Sequence, residues 1–400
     1  SVDTVARATG KAWRDEAGVC GAAGTALLRG LPDHAIPTEA ALPNPDLFSP
    51  LTFAHGPAMP NRLMLAPLTN LQSNPDGTLS EDEFHWLTLR AKGGFGLTMT
   101  AAAHVQAVGQ GFPGQLGIFS DAHLPGLTRL AAAIKAQGSL AVVQLHHAGM
   151  RSPSDLIGTA PVCPSDNAEF GARALTADEV ETLIADFIAA AKRAEIAGFD
   201  GVELHGAHGY VISQFLSPEI NQRSDQWGGS AANRERLLDR IIAGVRATCR
   251  PDFNLGLRLS PERFGLRLAE VRDHAQRLMR AGDIDYLDMS LWDVRKEPNE
   301  DAFKGVSLIS VFTGLDRGHV RLGVAGKIMS AAIAHDCLAA GADFVLIGRG
   351  AILHHDWPRL AVDPAFVAAR LPVTRAHLVA EGLGPVFVDY MATWKGFVEG

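Results

Sequence analysis

The sequence predicts an α/β fold, a (β/α)8 TIM barrel, from three observations. Eight short apolar segments follow one another after residue 43, and segments with helical periodicity separate them. Most of these segments are continuously apolar, which is typical of strands that are buried on both faces. A doubly wound open sheet is the alternative, but the Gly-x-Gly-x-x-Gly turn that usually follows an early strand in that fold is missing after Arg62–Ala66.

The barrel strands can be assigned directly from the apolar segments. The predicted strands are Arg62–Ala66, Gly96–Ala102, Leu140–His146, Gly201–Ala207, Asn254–Ser260, Tyr286–Leu291, Val320–Gly326 and Phe344–Gly350. Ahead of them, Pro50–Pro60 is predicted to form a short N-terminal hairpin that closes the bottom of the barrel. We therefore divide the chain into residues 1–42, an extension of unknown structure, and residues 43–400, the barrel domain with a C-terminal tail.

Helix starts are marked by polar residues at characteristic spacings. Ser80 with Glu83, and Thr176 with Glu179, have the spacing of capping boxes. The apolar residues after Thr176 recur with the 3.6-residue period of a helix. Further helix starts are predicted at Asp121, Ser230 and Ser330.

Composition excludes several classes of function. The net charge is −8 and no long basic stretch occurs, which argues against nucleic acid or an anionic membrane as a partner. No apolar run reaches the roughly 18 residues that a transmembrane helix needs, and residues 1–40 lack the pattern of a secretory signal. The cysteines are far apart, without a Cys-x-x-Cys pair, which predicts no metal site and a reducing, cytoplasmic location. Homo-oligomer formation is left open.

The most informative stretch is the end of the fourth predicted strand, where His205, His208 and Tyr210 follow an apolar run. In a TIM barrel the active site lies at the C-terminal ends of the strands. Two imidazoles can donate hydrogen bonds to one developing oxyanion, and a phenol can supply a proton, so this set suits reduction of an activated carbonyl compound. The alternative is two loop histidines beside a packed tyrosine.

Two further groups of strand ends suggest a ligand with a phosphate and a polar ring. The loops after strands 7 and 8 carry Gly326 and Gly348–Arg349, and these loops commonly bind phosphate in barrels. The alternative is that the glycines only make tight turns and Arg349 pairs with an acid. Gln144 and Arg258 end two other strands and could line a heterocycle; alternatively they are a structural amide and a structural ion pair.

Ordered motifs across most of the chain resemble the Old Yellow Enzyme family of FMN-dependent NAD(P)H oxidoreductases. The resemblance extends from about Pro45 to Pro358. The matching motifs are Asn61-Arg62 through Ala66-Pro67-Leu68-Thr69, Val143-Gln144-Leu145, His205-Gly206-Ala207-His208-Gly209-Tyr210, Gln214-Phe215-Leu216-Ser217-Pro218, Asn221-Gln222-Arg223-Ser224-Asp225 with Gly228-Gly229-Ser230, and Ile347-Gly348-Arg349.

The resemblance implies FMN as cofactor, NADPH or NADH as reductant, and reduction of the activated C=C bond of an α,β-unsaturated carbonyl or nitro compound by a ping-pong mechanism. The residues it assigns to FMN are Ala66, Pro67, Leu68, Thr69, Ala102, Gln144, Arg258, Gly326, Lys327, Gly348 and Arg349. Those it assigns to an electrophilic alkene substrate are His205 and His208 for the oxygen, Tyr210 as the proton donor, and His146 as a residue that shapes substrate choice.

The chain departs from the family pattern at several positions. Met150 stands where relatives often have Arg, with Arg151 as a substitute, and Lys327 stands where Gly is common. The C-terminal pocket residues and the choice between NADPH and NADH are not assigned. A barrel that binds FMN without turnover, as a sensor or store, is the alternative function. A barrel aldolase is disfavoured because Lys327, in the predicted phosphate loop, is the only lysine at a predicted strand end.

Overall fold

The computed structural model describes residues 46–399, so the predictions for residues 1–42, and Cys20 within them, lie outside the described residues. The strands of the described part are β1 (Leu63–Leu65), β2 (Leu97–His104), β3 (Leu140–His146), β4 (Val162–Cys163), β5 (Arg173–Ala174), β6 (Gly201–Gly206), β7 (Asn254–Leu259), β8 (Tyr286–Ser290), β9 (Arg321–Ala325) and β10 (Phe344–Ile347). All except β4 and β5, which form a separate small sheet, close into one parallel barrel. The predicted (β/α)8 barrel is therefore confirmed.

Helices cover the outside of the barrel and the C-terminal region. They are α1 (Glu81–Lys92), α2 (Leu124–Lys135), α3 (Ser154–Ile157), α4 (Ala177–Ile196), α5 (Val211–Leu216), α6 (Ala231–Thr248), α7 (Leu268–Ala281), α8 (Leu308–Thr313), α9 (Ala331–Ala339), α10 (Arg349–Leu353), α11 (Trp357–Leu360), α12 (Arg375–Ala380) and α13 (Pro385–Ala392). No helix among residues 46–399 combines the length and apolarity that crossing a bilayer requires.

The predicted hairpin is present as a single antiparallel bridge. Leu51 and Met59 exchange both backbone hydrogen bonds, at 2.9 and 2.8 Å. Both side chains are buried in the apolar cluster that fills the lower barrel. His55, between them, accepts a hydrogen bond on its carbonyl from Asn254, the first residue of β7. The hairpin thus closes the N-terminal end of the barrel, as predicted.

The two predicted capping boxes have different outcomes. At α4 the box is complete: the Glu179 N–H donates to the Thr176 hydroxyl, and the Thr176 N–H donates to the Glu179 carboxylate. At α1 only half of it forms, because the Glu83 carboxylate turns inward to Asn70 and Ser73 instead of capping the helix. Burial raises the pKa of Glu83. Through these two bonds the Glu83 side chain holds in place the loop after β1, which carries residues 66–69 of the site.

Two other predicted helix starts have different outcomes. Ser330 caps α9 as predicted, accepting from the N–H of Ile333. Asp121 instead begins a short 3-10 turn, and α2 starts only at Leu124, where Pro125 fits the first helical turn.

The barrel interior changes character from bottom to top. The lower half is filled by apolar side chains, among them Met64, Met99, Val142 and Phe344. Near the C-terminal ends of the strands polar side chains replace them, and the barrel opens into a cavity.

Candidate active site

The cavity at the C-terminal end of the barrel collects residues from all eight barrel strands or the loops that follow them. Its walls include every residue that the sequence assigned to FMN: Ala66, Pro67, Leu68, Thr69, Ala102, Gln144, Arg258, Gly326, Lys327, Gly348 and Arg349. They also include His205, His208 and Tyr210. His146 does not line this cavity; it is buried behind His205. The structure thus brings the predicted residues together, while their roles remain predictions.

Gln144 and Arg258 each lie beside a buried acid of the neighbouring strand. The barrel register pairs Gln144 with Glu203, and the Gln144 amide donates to the Glu203 carboxylate at 2.7 Å. It also pairs Arg258 with Asp288, with 2.9 Å between Arg258 Nε and a carboxylate oxygen. Burial raises the pKa of both carboxyls, and Arg258 partly opposes this. Both structural alternatives are thus present, yet Gln144 and Arg258 also face the cavity and can contact a polar ring.

Another part of the cavity wall carries a guanidinium, that of Arg349, with no acidic partner among residues 46–399. Arg349 is the first residue of α10 and is half-buried, and burial lowers its pKa. Within the part of the chain that the structure describes, no carboxylate lies at ion-pair distance from Arg349, and its guanidinium carbon lies 5.9 Å from the ring centroid of Trp394. The alternative of an Arg349–acid pair is therefore not found. A buried cation without a counterion is stabilised when an anion binds.

The backbone beside Arg349 is shaped by two glycines with different roles. A side chain at Gly326 would place its Cβ 2.8 Å from the backbone nitrogen of Asp293, so this glycine is needed for close packing of two loops. A Cβ at Gly348 would face Leu68 and Ala66 at 3.7 Å or more, inside the cavity wall. Lys327 pairs its ammonium with Asp293 at 3.0 Å, so its charge is already balanced. The open backbone and the unpaired Arg349 fit a single phosphate group.

The histidine side of the cavity is a connected hydrogen-bond chain. His205 Nε2 lies 2.9 Å from His208 Nδ1, and His208 Nε2 lies 2.8 Å from the Ser290 hydroxyl. The His208 backbone has a positive φ of 62°, and its N–H donates to Ser260. Burial, with smaller contributions from nearby arginines, lowers the pKa of His205 and His208 well below the usual value. Both imidazoles are therefore neutral near pH 7, and each carries one N–H and one acceptor nitrogen.

Tyr210 is held at the edge of this histidine group. It lies just before α5, with 8% of its surface exposed, and lines the cavity. Its ring packs edge-on against His205, at a centroid distance of 5.1 Å. Arg151 donates to the backbone carbonyl of His208 at 2.7 Å and places its guanidinium 5.1 Å from the Tyr210 ring centroid. Arg151 thus supplies a guanidinium near the loop where Met150 departs from the family pattern.

The structure adds cavity residues that the sequence analysis did not find. Ser290 is the last residue of β8 and Trp292 follows it, so Ser290 occupies the kind of strand-end position that signals a pocket residue in a barrel. Tyr390 and Trp394 come from the C-terminal region, which folds back over the cavity. No local pattern marks those two, because their place depends on how the chain returns to the barrel.

Comparison with known proteins gives consistent matches over the barrel. Residues 46–362 match the sequence model of the NADH:flavin oxidoreductase / NADH oxidase family. A probable NADH-dependent flavin oxidoreductase of Bacillus subtilis, YqiG, is 40% identical over 324 residues, covering 78% of this chain and 86% of the relative. The NADH:fumarate oxidoreductase of Klebsiella pneumoniae is 36% identical over 330 residues, but this match covers only 36% of that longer protein against 78% of this chain.

Solved structures agree with the sequence matches. The Old Yellow Enzyme homologue of Zymomonas mobilis superposes with a TM-score of 0.73 at 29% identity, covering 86% of this chain and 99% of that one. The family match includes all the cavity residues except Tyr390 and Trp394. Since the match covers most of the chain and the same barrel recurs, this chain belongs to the NADH:flavin oxidoreductase / NADH oxidase family, the Old Yellow Enzyme family, and is a flavin-dependent oxidoreductase.

Proposed function

We propose that this protein is an FMN-dependent ene reductase. It takes hydride from NADPH or NADH and reduces the activated C=C bond of an α,β-unsaturated carbonyl or nitro compound at the same cavity, in a ping-pong sequence. The observation that carries the proposal is one cavity whose wall includes both Arg349, which has no acidic partner among the described residues, and the His205–His208 pair with Tyr210.

The chemistry of the cavity fits FMN. Arg349 and the open backbone at Gly348 suit one phosphate. Among the described residues the pattern Gly-x-Gly-x-x-Gly occurs once, at Gly109–Gly114, but no helix begins there, so it does not form a dinucleotide-type site. Gln144 and Arg258 present polar groups suited to the pyrimidine side of the ring. When bound, FMN supplies hydride transfer between the nicotinamide and the alkene, while the protein binds and orients both.

The histidine side suits an oxygen that becomes negative during reduction. His205 and His208 are neutral, and each carries one N–H that it can donate to the carbonyl or nitro oxygen. Oriented donors in a buried site stabilise such developing charge strongly. Tyr210, at the edge of the same pair, is the donor of the proton that the α-carbon needs.

The relatives support an alkene as the electron acceptor. The Klebsiella protein is named for fumarate, whose C=C bond is conjugated to carboxyl groups. The match covers about a third of the Klebsiella protein. Fumarate is therefore one substrate to test, beside enones and nitroalkenes.

An absorption spectrum of the purified protein, followed by heat release and chromatography, tests the cofactor. We expect a yellow protein that releases FMN; FAD, or no flavin after reconstitution, would overturn the proposal. Anaerobic titration with NADPH and with NADH, then addition of cyclohexenone, nitroalkene or fumarate, tests the turnover. Bound FMN that neither nicotinamide reduces would instead favour the sensor or store.

A further inference from the structure

Three histidines and one serine form a line of contacts that continues beyond the cavity wall. His146 Nδ1 lies 3.1 Å from His205 Nδ1. The line continues from His205 Nε2 to His208 Nδ1 at 2.9 Å, and from His208 Nε2 to the Ser290 hydroxyl at 2.8 Å. His205 and His208 therefore each have an outer nitrogen held by a neighbour and an inner nitrogen that faces the other ring.

This geometry fixes which nitrogens can bind a substrate oxygen. An oxygen held by both rings must accept from the two inner nitrogens, His205 Nε2 and His208 Nδ1, because the outer ones are already engaged. A neutral imidazole carries only one N–H. Both inner nitrogens can therefore be donors only if both outer nitrogens are acceptors, and that requires donors on His146 and Ser290.

Resting on the proposed function, we infer that His146 and Ser290 are positioning residues that select the tautomers of His205 and His208. His146 donates through Nδ1–H to His205, and Ser290 donates through its hydroxyl to His208. Each donation places the proton of the receiving ring on its inner nitrogen, aimed at the substrate oxygen. His146 thus acts through His205 and not by touching the substrate.

The surroundings of His146 and Ser290 are consistent with these donor roles. His146 is buried, and its Nε2 has no hydrogen-bond partner among residues 46–399. If the proton of His146 is on Nδ1, the buried Nε2 carries a lone pair, which costs less there than an N–H without an acceptor. Ser290 can accept from Arg258 Nη2, 3.4 Å away, and still donate its own proton to His208.

Without a ligand the two inner nitrogens cannot both carry protons, since they lie 2.9 Å apart and one must accept. An entering oxygen resolves this conflict by accepting from both. The arrangement therefore responds to a carbonyl, nitro or phenolate oxygen rather than to an apolar group. This explains why an imidazole stands at His146, outside the cavity, where an apolar residue would also fill the space.

The test compares His146→Leu with His146→Asn in the FMN-loaded enzyme, because the Asn amide N–H can stand in for the imidazole Nδ1–H. Phenol is the probe, and ¹⁵N spectra of histidine-labelled protein report which nitrogen of each ring is protonated. We expect the phenol complex of the wild type to show His205 protonated on Nε2 and His208 on Nδ1. His146→Leu should weaken phenol binding about tenfold and lose the single His205 tautomer, and His146→Asn should restore both.

Controls separate this from a general structural effect. His274→Leu removes another buried imidazole, on α7 and away from the cavity, and should leave phenol binding and the His205 signal unchanged. Ser290→Ala should disturb the tautomer of His208 but not that of His205. An unchanged His205 tautomer and unchanged phenol affinity in His146→Leu would overturn the inference. Failure of the proposed function would appear differently, as a wild-type enzyme that neither binds phenol nor reduces an enone.

Discussion

The two sides of the cavity differ in how their polar groups are satisfied. On the histidine side, His205 and His208 already bond to each other and to neighbours that hold them in place. On the phosphate side, Arg349 has no acidic partner among the described residues. The first arrangement holds both imidazole rings in position before the substrate arrives, so an entering oxygen needs only to take the place of the bond between them. The second arrangement gains a counterion when an anion binds, since a half-buried cation without a partner is costly.

This difference predicts that substitutions on the two sides will affect different measurements. Changes on the histidine side should slow substrate reduction while FMN stays bound. Changes on the phosphate side should weaken FMN binding while the chemistry of the loaded enzyme stays the same.

Tyr210→Phe should have the largest effect, confined to alkene reduction. The variant loses the proton donor to the α-carbon, and a positioned acid commonly contributes about 10²–10⁴-fold. Reduction of bound FMN by the nicotinamide needs no general acid and should be unchanged. Rapid-mixing kinetics of the two half-reactions measures both steps separately.

Nitroalkenes provide the control for Tyr210, because their anions are stable enough to be protonated later by solvent. They should therefore suffer less than a poorly activated enone. Equal slowing of both half-reactions, or of neither, would mean that Tyr210 only packs beside the flavin.

His205→Ala and His208→Ala should each slow enone reduction by about 10²–10³-fold, the usual cost of losing one oxyanion donor. Each should also weaken the complex with phenol, which we expect to give a long-wavelength absorption band with oxidised enzyme. FMN content should stay normal. If both variants keep normal phenol affinity and turnover, the oxygen is bound elsewhere in the cavity.

Arg349→Ala should weaken FMN binding by roughly tenfold to a hundredfold, because a hydrogen bond to a charged group contributes about 1.5–3 kcal/mol. Fluorescence titration of the apoprotein with FMN gives the affinity. The loaded variant should keep its rate of enone reduction, which distinguishes it from the histidine variants. Unchanged FMN affinity would show that Arg349 is structural.

Lys327→Ala should have the smallest effect. Its ammonium is exposed and paired with Asp293, and exposed pairs typically contribute about 0.2–1 kcal/mol. FMN affinity should therefore change by less than about fivefold, measured by the same titration as for Arg349→Ala. A loss as large as that of Arg349→Ala would mean that the ammonium leaves Asp293 to bind the phosphate.

The sequence predicted local features better than partners across strands. The Thr176–Glu179 capping box was predictable because both of its bonds lie within four residues. The Ser80–Glu83 pair has the same spacing, yet its carboxylate bonds to Asn70 and Ser73, since a buried loop offered better partners. His146 likewise has the strand-end position of a pocket residue but stands behind the cavity wall.

The sequence by itself determined the barrel, its hairpin, and the set of side chains at the strand ends. These follow from periodicity and from the rule that parallel strands end at the same face. Only the tertiary structure decided how those side chains pair: Gln144 with Glu203, Arg258 with Asp288, and His146 with His205. Each pairing joins residues tens of positions apart at about 3 Å. It depends on the register between strands and on closure of the barrel, and neither is encoded in a local pattern.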